Sequence, residues 1–116
     1  MSNKKEKEEQ AKRDAFQEEL RRTRLPRGTQ VIGVLDRRLG GSRCYVNCMD
    51  GKTRICRIPG RLKRRLWVRE GDTILVEPWE LDADTKGDIV FKYSKNQVFM
   101  LKKRGLLKNL DELSDF

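Results

Sequence analysis

The stretch SRCYVNCMDGKTRICRI, residues 42–58, predicts a β-hairpin, because two alternating apolar and polar segments flank the turn dipeptide Asp50-Gly51. A two-residue loop would place Val46 opposite Ile55, and this pairing decides which side chains share a face. The core face would then carry Cys44, Val46, Cys48 and Ile55, and the outer face Arg43, Tyr45, Asn47, Lys52 and Arg54. The outer face is therefore expected to be basic, with one aromatic ring in its middle.

The three cysteines of the chain all fall in this hairpin, and their placement predicts free thiols. Cys44 and Cys48 lie four residues apart on one strand, about 13 Å by strand rise, which is too far for a disulfide. The predicted register directs Cys56 to the opposite face. Zinc would lack a fourth ligand, because the chain contains no histidine. We expect buried, reduced cysteines.

Three more strands are predicted around the hairpin, one before it and two after it. TQVIGVLDRRL (29–39) is β-branched and apolar, with an internal Gly33 that indicates a bend or bulge. RLKRRLWV (61–68) has room for a helical turn or two, and DTILVEPWEL (72–81) and DIVFKY (88–93) predict strands. Five strands with a short helix between the third and fourth match the OB-fold, a small all-β Greek-key barrel. A five-stranded SH3-like barrel is the alternative fold.

Both ends of the chain differ in composition from this barrel. SKNQVFMLKKR (94–104) predicts a C-terminal helix, with Ser94 and Gln97 in a capping box and Gly105 as its stop. The N-terminal segment is rich in both charges and has few apolar residues, so it predicts a flexible tail, disordered or transiently helical, that orders on a partner. The expected divisions are residues 1–27 as this tail, 28–93 as the OB-fold, 94–105 as the helix and 106–116 as a short acidic tail.

The amino-acid composition of the chain favours some classes of function and argues against others. The chain has 27 basic and 18 acidic residues, a net charge of +9, which favours partners that carry phosphate and disfavours self-association. No apolar run is long enough to span a bilayer and no signal peptide heads the chain, so a cytoplasmic monomer without membrane contact is expected. The absence of histidine and of a glycine-rich phosphate loop argues against an enzyme and against a cofactor. Asp82, Asp84 and Asp88 do not have the spacing of a calcium loop, so no metal site is expected.

The most unusual feature of the sequence is a basic window between Asp50 and Glu70 that contains no acid. Surface charges are normally mixed, and arginine binds phosphate bidentately and stacks on bases. We therefore predict RNA contact through Arg43, Tyr45, Arg54, Arg57, Arg61, Lys63, Arg64 and Arg65. For Tyr45 two interpretations stay open, a platform for base stacking or a partly covered strand residue. Trp67 and Trp79 are expected in the core or at its rim.

Several motifs make the chain similar to a known family. Asp50-Gly51, IPGRLKRRLW (58–67), Gly71-Asp72 and VFKY (90–93) occur in the order found in translation initiation factor 1A. The resemblance covers roughly residues 28–105 without gaps, and Pro59 is the residue of the archaeal type. The long acidic tail of eukaryotic members, which contacts the subunit-joining GTPase factor, has no counterpart before Phe116.

The resemblance implies an OB-fold that docks in the decoding (A) site of the small ribosomal subunit and contacts its rRNA. There the family helps to recruit initiator tRNA and to select the start codon, alongside other initiation factors. The family's basic positions fall on Arg57 and on Arg61, Lys63, Arg64 and Arg65 of this chain. The alternative function is a general single-stranded RNA-binding protein or RNA chaperone of cold-shock type, although such proteins usually display several aromatic residues on the binding strands.

Overall fold

Five strands close into one barrel in the computed structural model, which describes residues 4–62 and 67–107. The strands are β1 (Val31–Leu39), β2 (Arg43–Cys48), β3 (Thr53–Arg57), β4 (Thr73–Pro78) and β5 (Lys86–Lys92). Their order around the barrel is β1-β2-β3-β5-β4, and only the β3–β5 pair is parallel. Among the residues described between β3 and β4, Gly60–Leu62 form a 3-10 turn. The predicted OB-fold is therefore confirmed.

The β2–β3 hairpin forms at Asp50-Gly51, but its predicted register is wrong by one residue. The strands pair Tyr45 with Ile55 and Val46 with Arg54. The loop has three residues, because the amide of Cys48 donates to the carbonyl of Lys52 at 2.9 Å. Gly51 has a φ of +84°, the left-handed conformation that closes a three-residue loop through a bulge.

This shift reverses the two faces of β3, since side chains alternate with a period of two. Arg54 and Cys56 point inward, with exposures of 3% and 0%, whereas Ile55 points outward and is half-buried. Cys56 therefore lies on the same inner face as Cys44, its Cα partner, and not on the opposite face as predicted. The three thiols are free and buried. Burial raises the pKa of each thiol, which keeps it protonated and unreactive near neutral pH.

Strand β1 passes close to β2 at Gly33 and then bulges. A Cβ atom at Gly33 would lie 2.7 Å from Cγ1 of Val46, so a larger residue would push the two strands apart. The pairing shifts between Leu35 and Arg37, which bends β1 around the barrel. The bend predicted from Gly33 is thus present a few residues further along the strand.

Two apolar clusters hold the fold together. One fills the barrel and includes Leu35, Val46 and Ile74. The other lies outside it, where helix α2 (Lys95–Lys103) covers outward side chains of β1, β4 and β5 through Leu101. The capping box of α2 forms as predicted, with Ser94 accepting from the amide of Gln97. Helix α2 therefore covers the β1–β4–β5 side of the barrel.

The N-terminal segment, expected to be a flexible tail, is helical over Lys4–Arg21 (α1). Ion pairing supports the helix, since Arg22 pairs with Glu18 one turn earlier at 3.2 Å, as its spacing predicts. The segment also has an anchor that its sequence does not reveal: the buried side-chain amide of Gln97 donates to the carbonyl of Glu19 at 2.9 Å. No residue of α1 is itself buried, so its contribution to the core is small.

Candidate nucleic-acid interface

The outward side chains of β2 and β3 form an exposed surface that contains no carboxylate of its own. We call this surface the strand 2–3 face; it consists of Arg43, Tyr45 and Asn47 from β2 and Thr53, Ile55 and Arg57 from β3. Arg43 and Arg57 are Cα partners at one end of the hairpin, so two guanidinium groups share that end. Both residues are exposed. Two neighbouring cations on a face without acids of its own favour an anionic partner.

Tyr45 lies in the middle of this face, opposite Ile55. The guanidinium carbon of Arg37, on the neighbouring strand β1, lies 4.9 Å from the centre of its ring. One side of the ring is thus covered by a cation, and the residue is half-buried. The structure shows Tyr45 as a half-buried strand residue with an arginine partner, and an aromatic ring beside a cation is also suited to contact a base.

Arg57 is less free than its neighbour Arg43. Its guanidinium pairs with Asp88 of β5 at 3.3 Å and lies 5.4 Å from the ring of Trp79. Trp79 is half-buried and donates through Nε1 to the same carboxylate at 2.8 Å. Because Asp88 already neutralises part of its charge, Arg57 should bind a phosphate less strongly than an unpaired arginine would.

Arg54, which the sequence analysis assigned to RNA contact, is buried in the core. Its guanidinium forms a bidentate pair with Asp50, at 3.1 and 2.8 Å, and Nε donates to the carbonyl of Ala83 at 2.6 Å. Burial by itself would raise the pKa of Asp50, but the hydrogen bonds from Arg54 and from the amide of Lys52 outweigh it and lower that pKa. Arg54 therefore ties the β2–β3 turn to the β4–β5 loop.

The basic loop, residues 60–66, starts and ends at core anchors. Ile58 is buried before it, Leu62 packs against the barrel cluster within it, and Val68 is buried after it. Lys63, Arg64 and Arg65, which sequence analysis assigns to RNA binding, lie outside the described residues, and of Arg61 only the backbone is described. Their assignment stays a prediction.

Trp67 directly follows the basic loop, and its expected place in the core or at its rim is wrong. Its exposure is 63%, because the neighbouring Val68 takes the inward position. Lys92 donates to the carbonyl of Trp67 at 2.8 Å, which holds its backbone, and the guanidinium of Arg38 lies 5.4 Å from the ring. An exposed tryptophan with an anchored backbone beside cations is suited to stack on a base.

Sequence reasoning thus located part of the surface. It placed Arg43 and Tyr45 correctly on the outer face, whereas Arg54, predicted on that face, is buried. Arg57 lies on the outer face only because the observed register differs from the predicted one. Sequence reasoning missed Arg37 and Arg38, which β1 brings beside Tyr45 and Trp67. The cluster of arginines at the end of β1 was visible in the sequence, but its neighbours depend on the bulge in that strand.

Two further observations concern other kinds of site. Within residues 4–62 and 67–107, no group of three or more carboxylate or thiol side chains is arranged to hold a metal ion. Neither described helix is long and apolar enough to cross a membrane.

Comparison with known protein sequences identifies one family. Over residues 18–114 the chain matches the family described as "Translation initiation factor 1A / IF-1". Translation initiation factor 1A of Methanococcus aeolicus is 52% identical over 89 residues, which cover 75% of this chain and 85% of the relative. Its counterpart in Pyrococcus abyssi is 47% identical over 88 residues, covering 76% and 78%. Among solved structures, a translation initiation factor from the Wolbachia endosymbiont of Brugia malayi aligns with a TM-score of 0.45 at 23% identity, over 57% of this chain and 78% of that one.

Proposed function

This chain belongs to the translation initiation factor 1A family and acts in translation initiation, and on that premise we propose that it binds the small ribosomal subunit near the decoding (A) site. The contact is made with rRNA, and it promotes recruitment of initiator tRNA and selection of the start codon together with other initiation factors. The protein acts in the cytoplasm as a monomer, and it binds without catalysing a reaction.

The observation that carries this proposal is the strand 2–3 face, whose own side chains include cations and no carboxylate. Arg43 and Arg57 lie at one end, and Arg37 lies beside Tyr45. In the sequence, the basic run before Trp67 adds Arg61, Lys63, Arg64 and Arg65, the positions at which the resemblance places the family's basic loop. Phosphates position such a surface on folded RNA, and the exposed ring of Trp67 supplies stacking.

Sedimentation with purified ribosomal subunits tests the proposal. We expect one protein to co-sediment with each small subunit and none with large subunits. In a reconstituted system, the protein should also increase the amount of initiator tRNA bound to small subunits at a cognate start codon. Equal binding to both subunits, or no effect on initiator tRNA, would contradict it.

A general single-stranded RNA-binding function is the second candidate, and the exposure of Trp67 favours it, since that residue adds a second aromatic ring to the basic surface. The two functions differ in what they need from the RNA. Trp67→Ala should weaken binding to single strands by about 1–3 kcal/mol if stacking dominates. Docking on folded rRNA through phosphates should instead leave oligonucleotides as poor competitors for the small subunit. Efficient competition by an unstructured oligonucleotide would favour the second function.

A further inference from the structure

A second basic concavity lies away from the strand 2–3 face, where α1 ends and the chain enters β1. Its walls carry Arg21, Arg22, Arg24 and Arg27, and Gln30 lies at its edge. We call it the arginine pocket; its volume is about 380 Å³. We propose that the arginine pocket binds backbone phosphates of RNA, as a second contact separate from the strand 2–3 face.

The pocket is built by backbone anchors and does not depend on a loose tail. The hydroxyl of Tyr93 donates to the carbonyl of Arg24, and the Arg24 guanidinium donates to the carbonyl of Val90 at 3.4 Å. The turn at residues 27–30 is closed twice, because Gln30 donates to the carbonyl of Arg27 at 3.0 Å and accepts from its amide at 3.1 Å. The backbone that carries these arginines and the side chain of Arg24 are therefore held in place before any ligand arrives, which lowers the entropy cost of binding.

The charges of the pocket are poorly compensated. Arg21 and Arg22 both pair with the single carboxylate of Glu18, at 3.9 and 3.2 Å, and their side chains stay 78% and 75% exposed. Within the described part of the chain, Arg24 and Arg27 form no ion pair. Stabilisation of the α1 dipole explains cations in its last turn, but it does not explain Arg24 and Arg27, which lie beyond the helix.

Phosphate is the group that this chemistry selects. Each guanidinium offers several donors in a planar fork, and arginines in a concavity can bind the oxygens of one or two phosphates from different sides. The inference rests on the proposed RNA-binding function, since RNA is the ligand that supplies such phosphates in a row. A free phosphate ion and an acidic peptide share part of the chemistry, so the test must separate them.

The full chain with Arg22→Gln and Arg27→Gln is the test variant, because both side chains are exposed and glutamine keeps most of their length. The matched control is Lys12→Gln with Arg13→Gln, which removes the same charge from the exposed surface of α1 outside the pocket. Circular dichroism should show both variants to be folded. Binding of a dodecamer of oligo(U) is then measured at a series of salt concentrations around the physiological value.

If the two arginines each contact a phosphate, the log–log salt slope of the pocket variant should be flatter by about 1.4, at about 0.7 per contact. The control should change the slope by much less. A pocket variant with the slope of the control would overturn the proposal. If wild-type protein binds no oligo(U), the same salt series is measured with small ribosomal subunits, and the same difference in slope is expected. Wild-type protein that binds neither ligand would instead contradict the RNA-binding function on which the inference rests.

Two additional probes separate the alternative ligands. Inorganic phosphate is titrated at constant ionic strength while the Nε–Hε signals of the arginines are followed by NMR. Signals that move with phosphate, combined with an unchanged oligo(U) slope, would show a site for free anions and would overturn the RNA assignment. Binding of a hexaglutamate peptide that is lost in the pocket variant, again with an unchanged oligo(U) slope, would assign the pocket to an acidic protein and would overturn it as well.

Discussion

The two sides of the barrel are made of strands with the same alternation, yet their outward residues differ in kind. On the β1–β4–β5 side, Ile32, Leu75 and Val90 point outward and are covered by α2. On the β2–β3 side the equivalent positions carry Arg43 and Arg57, and no described helix packs over them. Alternation alone therefore establishes the barrel, whereas the chemistry of the outward positions decides which side is covered by the chain itself and which side is left for a partner.

The largest effect on binding is expected when the charges of the basic loop are removed. Replacing Arg61, Lys63, Arg64 and Arg65 by alanine should flatten the salt slope by about 3 and lower small-subunit affinity by about two to three orders of magnitude, if each residue contacts a phosphate. Stability should hold or rise slightly, because like charges are removed. The measurement is small-subunit binding at several salt concentrations.

A charge-matched control keeps this prediction specific. Lys5, Lys7, Lys12 and Arg13 of α1 are replaced by alanine in a second variant, which loses the same charge elsewhere. Unchanged affinity and slope in the basic-loop variant would mean that the basic run is only a solvated surface.

Truncation of a side chain on the β1–β4–β5 side, which α2 covers, should lower stability and leave RNA binding unchanged. Leu75→Ala should lower the free energy of unfolding by about 2–5 kcal/mol, because Leu75 is fully buried between the barrel and α2. Ile55→Ala, the same kind of truncation on the half-buried strand 2–3 face, should cost about 1 kcal/mol. Urea unfolding of both variants measures this difference; equal losses would mean that the two sides do not differ as described.

Within the β2–β3 hairpin, substitution of the buried Arg54 should affect stability, whereas substitution of the exposed Arg43 should affect RNA binding. Arg54→Ala should cost about 2–3 kcal/mol, because it leaves Asp50 without its charge-assisted hydrogen bonds and removes a donor from the carbonyl of Ala83. Arg43→Ala should leave stability nearly unchanged while weakening RNA binding. Unfolding and RNA titration on both variants distinguish them. If Arg54→Ala were stable and defective only in RNA binding, the sequence-based assignment of Arg54 to the RNA contact would be correct.

The smallest expected effect concerns α1 and pH. Hydrogen bonds from Asn96 and then Ser94 lower the pKa of Glu19 below its ordinary value of 4.5. A carboxyl with a lowered pKa stabilises the folded contact above the pKa of the unfolded chain, and this contribution is lost as pH falls through the folded pKa. The contact between α1 and α2 should thus be constant above about pH 5 and weaken on further acidification.

The side-chain amide signals of Asn96 in NMR spectra report this contact directly. In the wild-type protein they should shift with a midpoint below pH 4.5, the ordinary pKa of the carboxyl, and in the Glu19→Gln variant this shift should be absent. A wild-type midpoint at or above 4.5 would show that Asn96 does not stabilise the carboxylate.

Local patterns were sufficient for the elements of the fold. The hairpin strands were predicted from alternation, the other strands from β-branched and apolar runs bounded by turns, and the cap of α2 from Ser94 and Gln97. All of these signals come from residues close in the chain. The site was predicted only in part. The residues of β2 were placed on their correct faces, but those of β3 were reversed, since their faces depend on the length of a single loop.

By itself the sequence determined the number and type of strands, the turn at Asp50-Gly51 and the basic run without acids, since these depend on residue types and short spacings. Only the tertiary structure decided that the loop has three residues, that Arg54 is buried, that Trp67 is exposed and that Gln97 holds the end of α1. The physical reason is that Asp-Gly is compatible with loops of either two or three residues. The choice between them, which moves every side chain of β3 to the other face, depends on packing across the closed barrel.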